Sequence, residues 1–181
     1  MTKKDIIDYY GMEPLDVEGG MWKAMFRSDE TLPEGLFPGR KGPHSLYGSI
    51  LYLLTKDSVS RMHRLPTDEI WHFYMGSPCE LLVLKPDGSS YTERLGQDIL
   101  RGEKVTALAP RGCWQGCRIA DGCDEDAWAL LGTTMSPAYE DSDYEDGTPS
   151  LLAQYPEMES KIRPLLARPG GRNSCQKVKR L

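Results

Sequence analysis

The sequence predicts an all-β sandwich or barrel, and three features lead to that class. Gly (18) and Pro (13) are frequent among the 181 residues and are spread along the chain, which favours short strands and turns over long helices. Between residues 19 and 136, nine short segments have the composition of strands, and no helical period persists there. Turn-forming stretches such as LPTD, PDG and PRG separate these segments, and KPDGS is a hairpin signal. Many short strands at regular spacing are typical of a sandwich or barrel.

Short helices are predicted at the two ends of the chain. Thr2 is a suitable N-cap for a helix that runs to about Tyr10 and ends at Gly11. Near the other end, SLLAQYPEMESKIRPLL has the pattern of one or two short helices, interrupted by Pro156 and ended near Pro164. The prediction is therefore a β-barrel with short helices at its N- and C-terminal ends.

Residues 1–165 are predicted to form one domain, because a chain of this length is sufficient for a single hydrophobic core. Residues 166–181 are different in composition: from residue 167 on they hold five Lys or Arg and no acidic residue. This tail is expected to be disordered and solvated, with binding to an anionic partner as the alternative. The net charge of −5 argues against nucleic acid as a partner of the whole chain.

The composition also predicts a cytoplasmic protein that does not associate with membranes. No apolar run approaches membrane-spanning length, and the first ten residues, MTKKDIIDYY, lack the apolar core of a signal peptide. The number of cysteines is odd and no C-x-x-C pair occurs, which indicates reduced thiols rather than a disulfide framework. The five cysteines are Cys79, Cys113, Cys117, Cys123 and Cys175.

The segment HRLPTDEIWHFYMG, residues 63–76, contains the candidate catalytic residues. We expect two neighbouring strands joined by LPTD, with His63 near the end of the first and Glu69 at the start of the second, so that both side chains share one sheet face. Apolar neighbours raise the pKa of a carboxylic acid and an imidazolium lowers it, so a pair of this kind can exchange protons near neutral pH. The alternative is a structural pair at the rim of a barrel.

Strand alternation limits which other side chains can join this pair. Glu69 and Trp71 fall on one side of the second strand, whereas His72 falls on the other. Glu69 and His72 therefore cannot point into one cavity unless a bulge intervenes. In the later segment PRGCWQGC, Trp114 and Gln115 point to opposite faces of a strand, and the sequence leaves open which of the two enters the interior.

Seven segments of the chain, taken together and in order, carry a family resemblance. They are LDVEGGMWKAMFRS, YGSILYLLT, SRMHRLPTDEIWHFYMG, LKPDGSSYTERLG, GEKVTALAPRGCWQGC, WALLGTTMSPAYEDSDYE and LLAQYP. They resemble the corresponding segments of the cupin superfamily, in particular its type 5 branch, a domain of unknown function. The resemblance covers about residues 5–165. It implies a double-stranded β-helix, a jelly-roll barrel with a ligand cavity, and pairing of two chains into a homodimer.

The two sequence motifs of the cupins are incomplete in this chain. The first motif has His-x-His, then a Glu, then a Gly seven residues later; His63, Glu69 and Gly76 match it, but Leu65 replaces the second histidine. The second motif, Pro-x-Gly-x-x-His, has Gln115 where its histidine is expected. His63, Glu69 and Gln115 form a weak ligand set for a transition metal. No cofactor is therefore predicted, and a divalent metal held by these three residues is the lesser alternative.

The resemblance further implies a cavity for a small polar or sugar-like molecule. Trp71, Phe73 and Tyr52 are predicted to line it, because aromatic rings bind ring-shaped or sugar-like ligands. Gln115 is predicted to anchor a carbonyl or hydroxyl group of the ligand. Arg27 lies in a block that is near the pocket in the family and suits an anionic ligand, with a surface salt bridge as the alternative.

Three functions are compatible with these residues, and the sequence does not decide whether the chain is an enzyme. The first is a metal-independent isomerase or epimerase, similar to metal-free cupins that resemble sugar-nucleotide epimerases, in which His63 is the base and Glu69 orients it or acts as the acid. The second is a sensor or storage protein that binds a ligand without converting it. The third is a metal-dependent cupin whose incomplete ligand set is completed by water, His44 or His72.

Overall fold

Thirteen β-strands and three short α-helices make up the described part of the chain, which comprises residues 1–37 and 42–166 of the computed structural model. The strands are β1 (Glu13–Pro14), β2 (Met21–Arg27), β3 (Thr31–Leu32), β4 (His44–Ser45), β5 (Gly48–Thr55), β6 (Val59–Arg64), β7 (Glu69–Gly76), β8 (Cys79–Leu84), β9 (Ser90–Leu95), β10 (Thr106–Ala109), β11 (Trp114–Ile119), β12 (Trp128–Met135) and β13 (Glu145–Asp146). The helices are α1 (Lys3–Tyr10), α2 (Ser150–Gln154) and α3 (Glu159–Ile162), with 3-10 turns at Ile99–Arg101, Asp141–Asp143, Pro156–Met158 and Arg163–Leu165.

Two antiparallel sheets pack face to face. The first sheet has the strand order β1-β2-β5-β12-β7-β10, the second has the order β13-β6-β11-β8-β9, and β3 and β4 form a separate two-stranded ribbon. Strands that follow one another in sequence are often placed in opposite sheets, which is the arrangement of a jelly roll. The prediction of an all-β jelly-roll barrel with short terminal helices is confirmed.

The connection LPTD does not form the hairpin that the sequence predicts. β6 pairs with β11 and β13, whereas β7 pairs with β10 and β12, so the two strands belong to different sheets. Four residues separate them and can span more than the roughly 10 Å between packed sheets. His63 and Glu69 therefore meet across the interior of the barrel and not side by side on one sheet, and this part of the prediction is wrong.

Both helical predictions are confirmed. At the start of α1, Thr2 Oγ1 accepts a hydrogen bond from the backbone nitrogen of Asp5, and the Asp5 carboxylate accepts one from the backbone nitrogen of Thr2. Gly11 ends the helix in the left-handed conformation, with a φ of 60°. At the other end, Pro156 separates α2 from α3. The hairpin predicted from KPDGS is the connection between β8 and β9.

Apolar side chains fill most of the space between the sheets and attach the terminal helices to the outside. A central group of buried residues, here called the core cluster, includes Tyr52, Trp71, Phe73 and Leu131. The four cysteines of the described ranges are free thiols. None of the described helices has the length and the apolar composition that crossing a bilayer requires. The predicted basic tail lies outside the described residues from residue 167 on, as does Cys175.

Candidate functional site

A cavity of about 370 Å³ lies between the two sheets, beside the core cluster. The first sheet contributes side chains from β2, β5, β7 and β12, the second contributes His63 from β6, and residues 138–144 cover one side. Apolar side chains form much of the wall: Leu15, Val17, Trp22, Ile50, Leu65 and Met135. The ionisable groups Glu18, His63 and Glu69 also border the cavity.

His63 and Glu69 form a buried pair at this cavity. Nε2 of His63 lies 3.8 Å from Oε2 of Glu69, and the two residues are 1% and 6% exposed. On the other side of the ring, Nδ1 lies 2.7 Å from the carbonyl oxygen of Arg61. Because a carbonyl can only accept a hydrogen bond, this contact requires a proton on Nδ1 and leaves Nε2 facing Glu69.

Gln115 is hydrogen-bonded to the carboxylate of Glu69. Its amide nitrogen donates a hydrogen bond of 2.6 Å to Oε2 of Glu69, and its amide oxygen accepts one of 2.9 Å from the indole nitrogen of Trp71. Since an indole N–H can only donate, the orientation of the amide is fixed. Gln115, and not Trp114, is thus the residue of this strand that enters the interior. Trp114 is partly buried against the C-terminal helices, with the guanidinium of Arg64 4.6 Å from the centre of its ring.

Glu18 is a third ionisable group at the site, and sequence reasoning missed it. The Ser60 hydroxyl donates a hydrogen bond to Oε1 of Glu18. The next residue, Gly19, has a φ of 101°, and a Cβ there would lie 2.4 Å from the carbonyl oxygen of Val59. Only glycine lets the chain pass this close to β6. The two glycines that follow Glu18 in DVEGGMW signal such a close approach, but they do not reveal where the carboxylate points.

The two carboxylates control the charge of His63. Burial by itself would lower the pKa of His63, but the negative charges of Glu18 and Glu69, together with the hydrogen bond to the carbonyl of Arg61, outweigh it and raise this pKa to about 9. Burial raises the pKa of Glu18, and repulsion from Glu69 adds to this increase while His63 opposes it. At neutral pH His63 is therefore an imidazolium.

Tyr144 closes the site over the imidazole. Its ring stacks on that of His63 with 5.3 Å between the centroids and 18° between the planes. Its hydroxyl donates a hydrogen bond of 3.1 Å to the carbonyl oxygen of Val17, and burial raises its pKa. The surrounding segment, YEDSDYEDG, is acidic and turn-like, so its composition gives no sign that this ring is packed inward.

Arg27 borders the cavity and is held by an ion pair. Its guanidinium donates hydrogen bonds to the carboxylate of Glu140, to Oγ of Ser45 at 3.0 Å and to the carbonyl oxygen of Tyr139 at 3.3 Å. The Arg27 side chain is 44% exposed. Of the two sequence-based interpretations, the structure shows the salt bridge. Binding of an anionic ligand by Arg27 stays a prediction and requires Glu140 to be displaced.

The three aromatic residues predicted to line the cavity lie behind its wall. Tyr52, Trp71 and Phe73 belong to the core cluster, with the rings of Tyr52 and Trp71 edge to face at 6.1 Å. The hydroxyl of Tyr52 donates to the carbonyl oxygen of Gly19 at 2.7 Å. Strand alternation correctly placed Glu69, Trp71 and Phe73 on the inner face, but side chains fill the barrel at the level of the two rings. Their role in ligand binding stays a prediction, as does that of Gln115.

A family assignment follows from comparison with known proteins. The family model described as Cupin superfamily (DUF985) matches residues 4–146. The chain belongs to this family. No curated protein matches it.

Solved structures agree with this assignment. Protein SO0799 from Shewanella oneidensis is 30% identical to this cupin, with a TM-score of 0.79 over 93% of this chain and 99% of that chain. A hypothetical protein from Leishmania major is 26% identical, with a TM-score of 0.81 over 93% and 100% of the two chains. A cupin-2 domain, Rru_A2000 from Rhodospirillum rubrum, is 11% identical with a TM-score of 0.56 over 87% and 91%, which is a likeness of fold alone.

The residues of this cupin do not fit a transition metal. The oxygen of Gln115 faces the indole of Trp71, so it is turned away from the cavity. Leu65 borders the cavity where the family motif has a second histidine. Within residues 1–37 and 42–166, no group of three or more His, Cys, Asp or Glu side chains is arranged to hold a metal ion. Transition metals in proteins favour three or more such donors.

The two other histidines do not complete the ligand set. His72 lies on the opposite face of β7 from Glu69, and its Nε2 is 3.1 Å from Oγ1 of Thr134. His44 is buried on β4, where neither ring nitrogen has a hydrogen-bond partner among the described residues, and it does not border the cavity. The expectation that the chain has no cofactor stays a prediction.

Proposed function

We propose that this cupin binds a small polar molecule in the cavity and moves a proton on it, as a metal-independent isomerase or epimerase does. The observation that carries the proposal is the pairing of a buried imidazolium, His63, with a buried carboxylate, Glu69, at the wall of the cavity. An acid and a base held at one face of a ligand are the elements of proton transfer next to a carbonyl group.

The charge states assign roles that differ from those expected from the sequence. His63 is protonated at neutral pH, so it serves as the acid and not as the base. Oε2 of Glu69 accepts a hydrogen bond from Gln115, and the carboxylate borders the cavity. The carboxylate of Glu69 is therefore placed to remove a proton from the ligand.

A proton transfer of this kind balances without a further reactant. Glu69 takes the proton of a C–H bond beside a carbonyl group, the electron pair of that bond forms the enol double bond, and His63 donates its proton to the carbonyl oxygen. Return of the proton from Glu69 to the neighbouring carbon, while His63 takes back the proton of the hydroxyl group that becomes the new carbonyl, gives the isomer. Rotation of the enol in the cavity before Glu69 returns the proton to the same carbon gives the epimer.

Solvent exchange tests the proposal without knowledge of the natural substrate. The protein is incubated in D₂O with a panel of aldose, ketose and 2-amino sugars, and incorporation of deuterium at carbon is followed by NMR. We expect exchange in at least one sugar. It should slow by about a hundredfold or more in Glu69→Gln, because general acid–base catalysis contributes about 10²–10⁴-fold.

Two variants make the outcome interpretable. Glu93→Gln is the matched control, since Glu93 is a surface carboxylate paired with Lys104 and exchange should be unchanged. His63→Ala separates catalysis from binding. If the protein is an enzyme, the variant should lose deuterium exchange and still bind the sugar. If it is a sensor, the variant should lose only affinity for the sugar. Binding of a sugar with no exchange by the unaltered protein would show a sensor or storage protein and would overturn the catalytic proposal.

A further inference from the structure

The charged side chains that border the cavity are not balanced. Four carboxylates, those of Glu18, Glu69, Glu140 and Asp141, face two cationic groups, Arg27 and the imidazolium of His63. When all of them are ionised, the described part of the wall has an excess of two negative charges. In a space with apolar walls, such an excess is weakly screened and strongly affects which ligands enter.

Both cationic groups already have partners. The guanidinium of Arg27 is bound by Glu140 and Ser45, and the imidazolium of His63 lies beside Glu69 and under the influence of Glu18. A phosphate or carboxylate ligand would have to displace a protein carboxylate and would then face the remaining ones. The arrangement disfavours anionic ligands.

A buried carboxylate borders the cavity. Glu69 is 6% exposed, and Gln115 donates a hydrogen bond to its Oε2. A carboxylate that is almost fully buried is costly, because burial removes most of the water that would otherwise bind it. A ligand that donates a further hydrogen bond to this carboxylate offsets that cost.

Aromatic rings supply a second attraction for one class of donor. Trp22, Phe26, Tyr139 and Tyr144 all border the cavity. The faces of aromatic rings attract cations, and the attraction to an organic ammonium group adds to that of nearby carboxylates. Rings alone would accept any flat ligand, but rings together with surplus carboxylates favour a positively charged one.

We infer that the cavity takes a small organic cation, a molecule with a protonated amine on a compact ring-shaped body. The inference rests on the proposed function, since the ammonium group is placed at the same carboxylates that the proposed reaction uses. The cavity, at about 370 Å³, is at the small end of ligand pockets, so the body of the cation is of metabolite size.

Three probes of one shape test this inference by isothermal titration calorimetry: cyclohexylamine, cyclohexanol and cyclohexanecarboxylate. They share a six-membered ring and differ in charge. We expect cyclohexylamine to bind at least tenfold more tightly than cyclohexanol, and cyclohexanecarboxylate to show no measurable binding. Glu69→Gln should weaken the binding of cyclohexylamine at least tenfold and change the affinity for cyclohexanol by less than twofold. The surface control Glu93→Gln should change neither affinity.

A second variant protects the test against a folding defect. Asp141 is an exposed residue at the cavity. If Glu69→Gln does not fold, Asp141→Asn should weaken the binding of cyclohexylamine at least twofold without changing the affinity for cyclohexanol. Equal binding of amine and alcohol, tighter binding of the carboxylate, or no binding of any probe would overturn the inference.

The two proposals fail in different ways. If a neutral sugar exchanges deuterium and cyclohexylamine does not bind, the reaction stands and the preference for a cation is wrong. The opposite result is also informative. If cyclohexylamine binds with the expected selectivity, but none of the sugars or amino sugars exchanges deuterium, the preference for a cation stands and the catalytic role is wrong.

Discussion

Two carboxylates, those of Glu18 and Glu69, act on the charge of the His63 imidazole, and the pKa of this imidazole is the residue-scale property on which the site depends. Glu18 and Glu69 raise the pKa of His63 to about 9, whereas burial lowers the pKa of His72 below its usual 6.5. The chain has three histidines in all, so their NMR signals can be resolved. We expect one resonance to titrate near pH 9 and to disappear in His63→Gln. A midpoint below 7 for that resonance would contradict the arrangement.

The pH dependence of the free energy of unfolding should follow the titration of His63. A histidine whose pKa is raised by folding contributes stability that is fully present below its unfolded value, near 6.5, and that is lost as the pH rises through about 9. We therefore expect the urea midpoint of the unaltered protein to fall between pH 6.5 and pH 9.5. In His63→Gln this part of the decrease should be absent.

Residue-level prediction from the sequence succeeded where a rule of strand geometry applied. The alternation of β7 put Glu69 inside and His72 on the other face, and the structure agrees. It failed for Glu18 and Tyr144, because both lie in segments without a regular period. Their direction is set by contacts with residues distant in sequence, Ser60 and Val17, which no local pattern encodes.

At the scale of the element, the turn before β2 is the part of the backbone that places Glu18. Gly19→Ala should cost about 2 kcal/mol more than Gly88→Ala, because both glycines have a positive φ but only at Gly19 would the added Cβ meet a carbonyl oxygen. Urea unfolding measures this difference.

The same pair of variants reports on the site. Displacement of Glu18 should weaken its effect on His63, so the pKa of His63 should fall below 9 in Gly19→Ala and stay unchanged in Gly88→Ala. Equal stability losses in the two variants would contradict the close approach between Gly19 and Val59.

The path of the chain between β6 and β7 shows a limit of reading elements from sequence. A four-residue turn such as LPTD serves equally well to join paired strands and to cross from one sheet to the other. Which of the two occurs depends on the pairing of β7 with β10 and β12, and these strands begin more than 30 residues later. The nine longer strands, β2 and β5–β12, were predictable from their composition, but the two-residue strands and the pairing partners were not.

At the scale of the whole molecule, the C-terminal helices are part of the folded structure because they cover the outer face of the second sheet. Ile162 is fully buried in a cluster with Met62, Leu82, Leu84 and Leu165. Ile162→Ala should lower the free energy of unfolding by about 2–5 kcal/mol, the usual cost of such a cavity. Glu157→Ala, an exposed control on the neighbouring turn, should stay within about 0.5 kcal/mol.

Urea denaturation measures both variants. A loss below 1 kcal/mol for Ile162→Ala would mean that the helices pack loosely on the sheet.

The overall architecture was predictable because the seven resembling segments occur in a fixed order along the chain, and a fixed order implies a topology. The position of the cavity within the barrel was not predictable. The inward-facing residues of β7 all satisfy the same alternation, yet Glu69 borders open space while Trp71 and Phe73 are packed in the core cluster. That difference depends on the combined volume of side chains from both sheets.

Since His63 and Glu69 are attached to opposite sheets, the distance between their charged groups depends on the thickness of the sandwich. Substitutions in the packed layer, at positions that never touch a ligand, would change this thickness and with it the acidity of the imidazolium. In a homologue with the same histidine and glutamate, the size of the interior side chains alone should therefore change the pKa of the histidine.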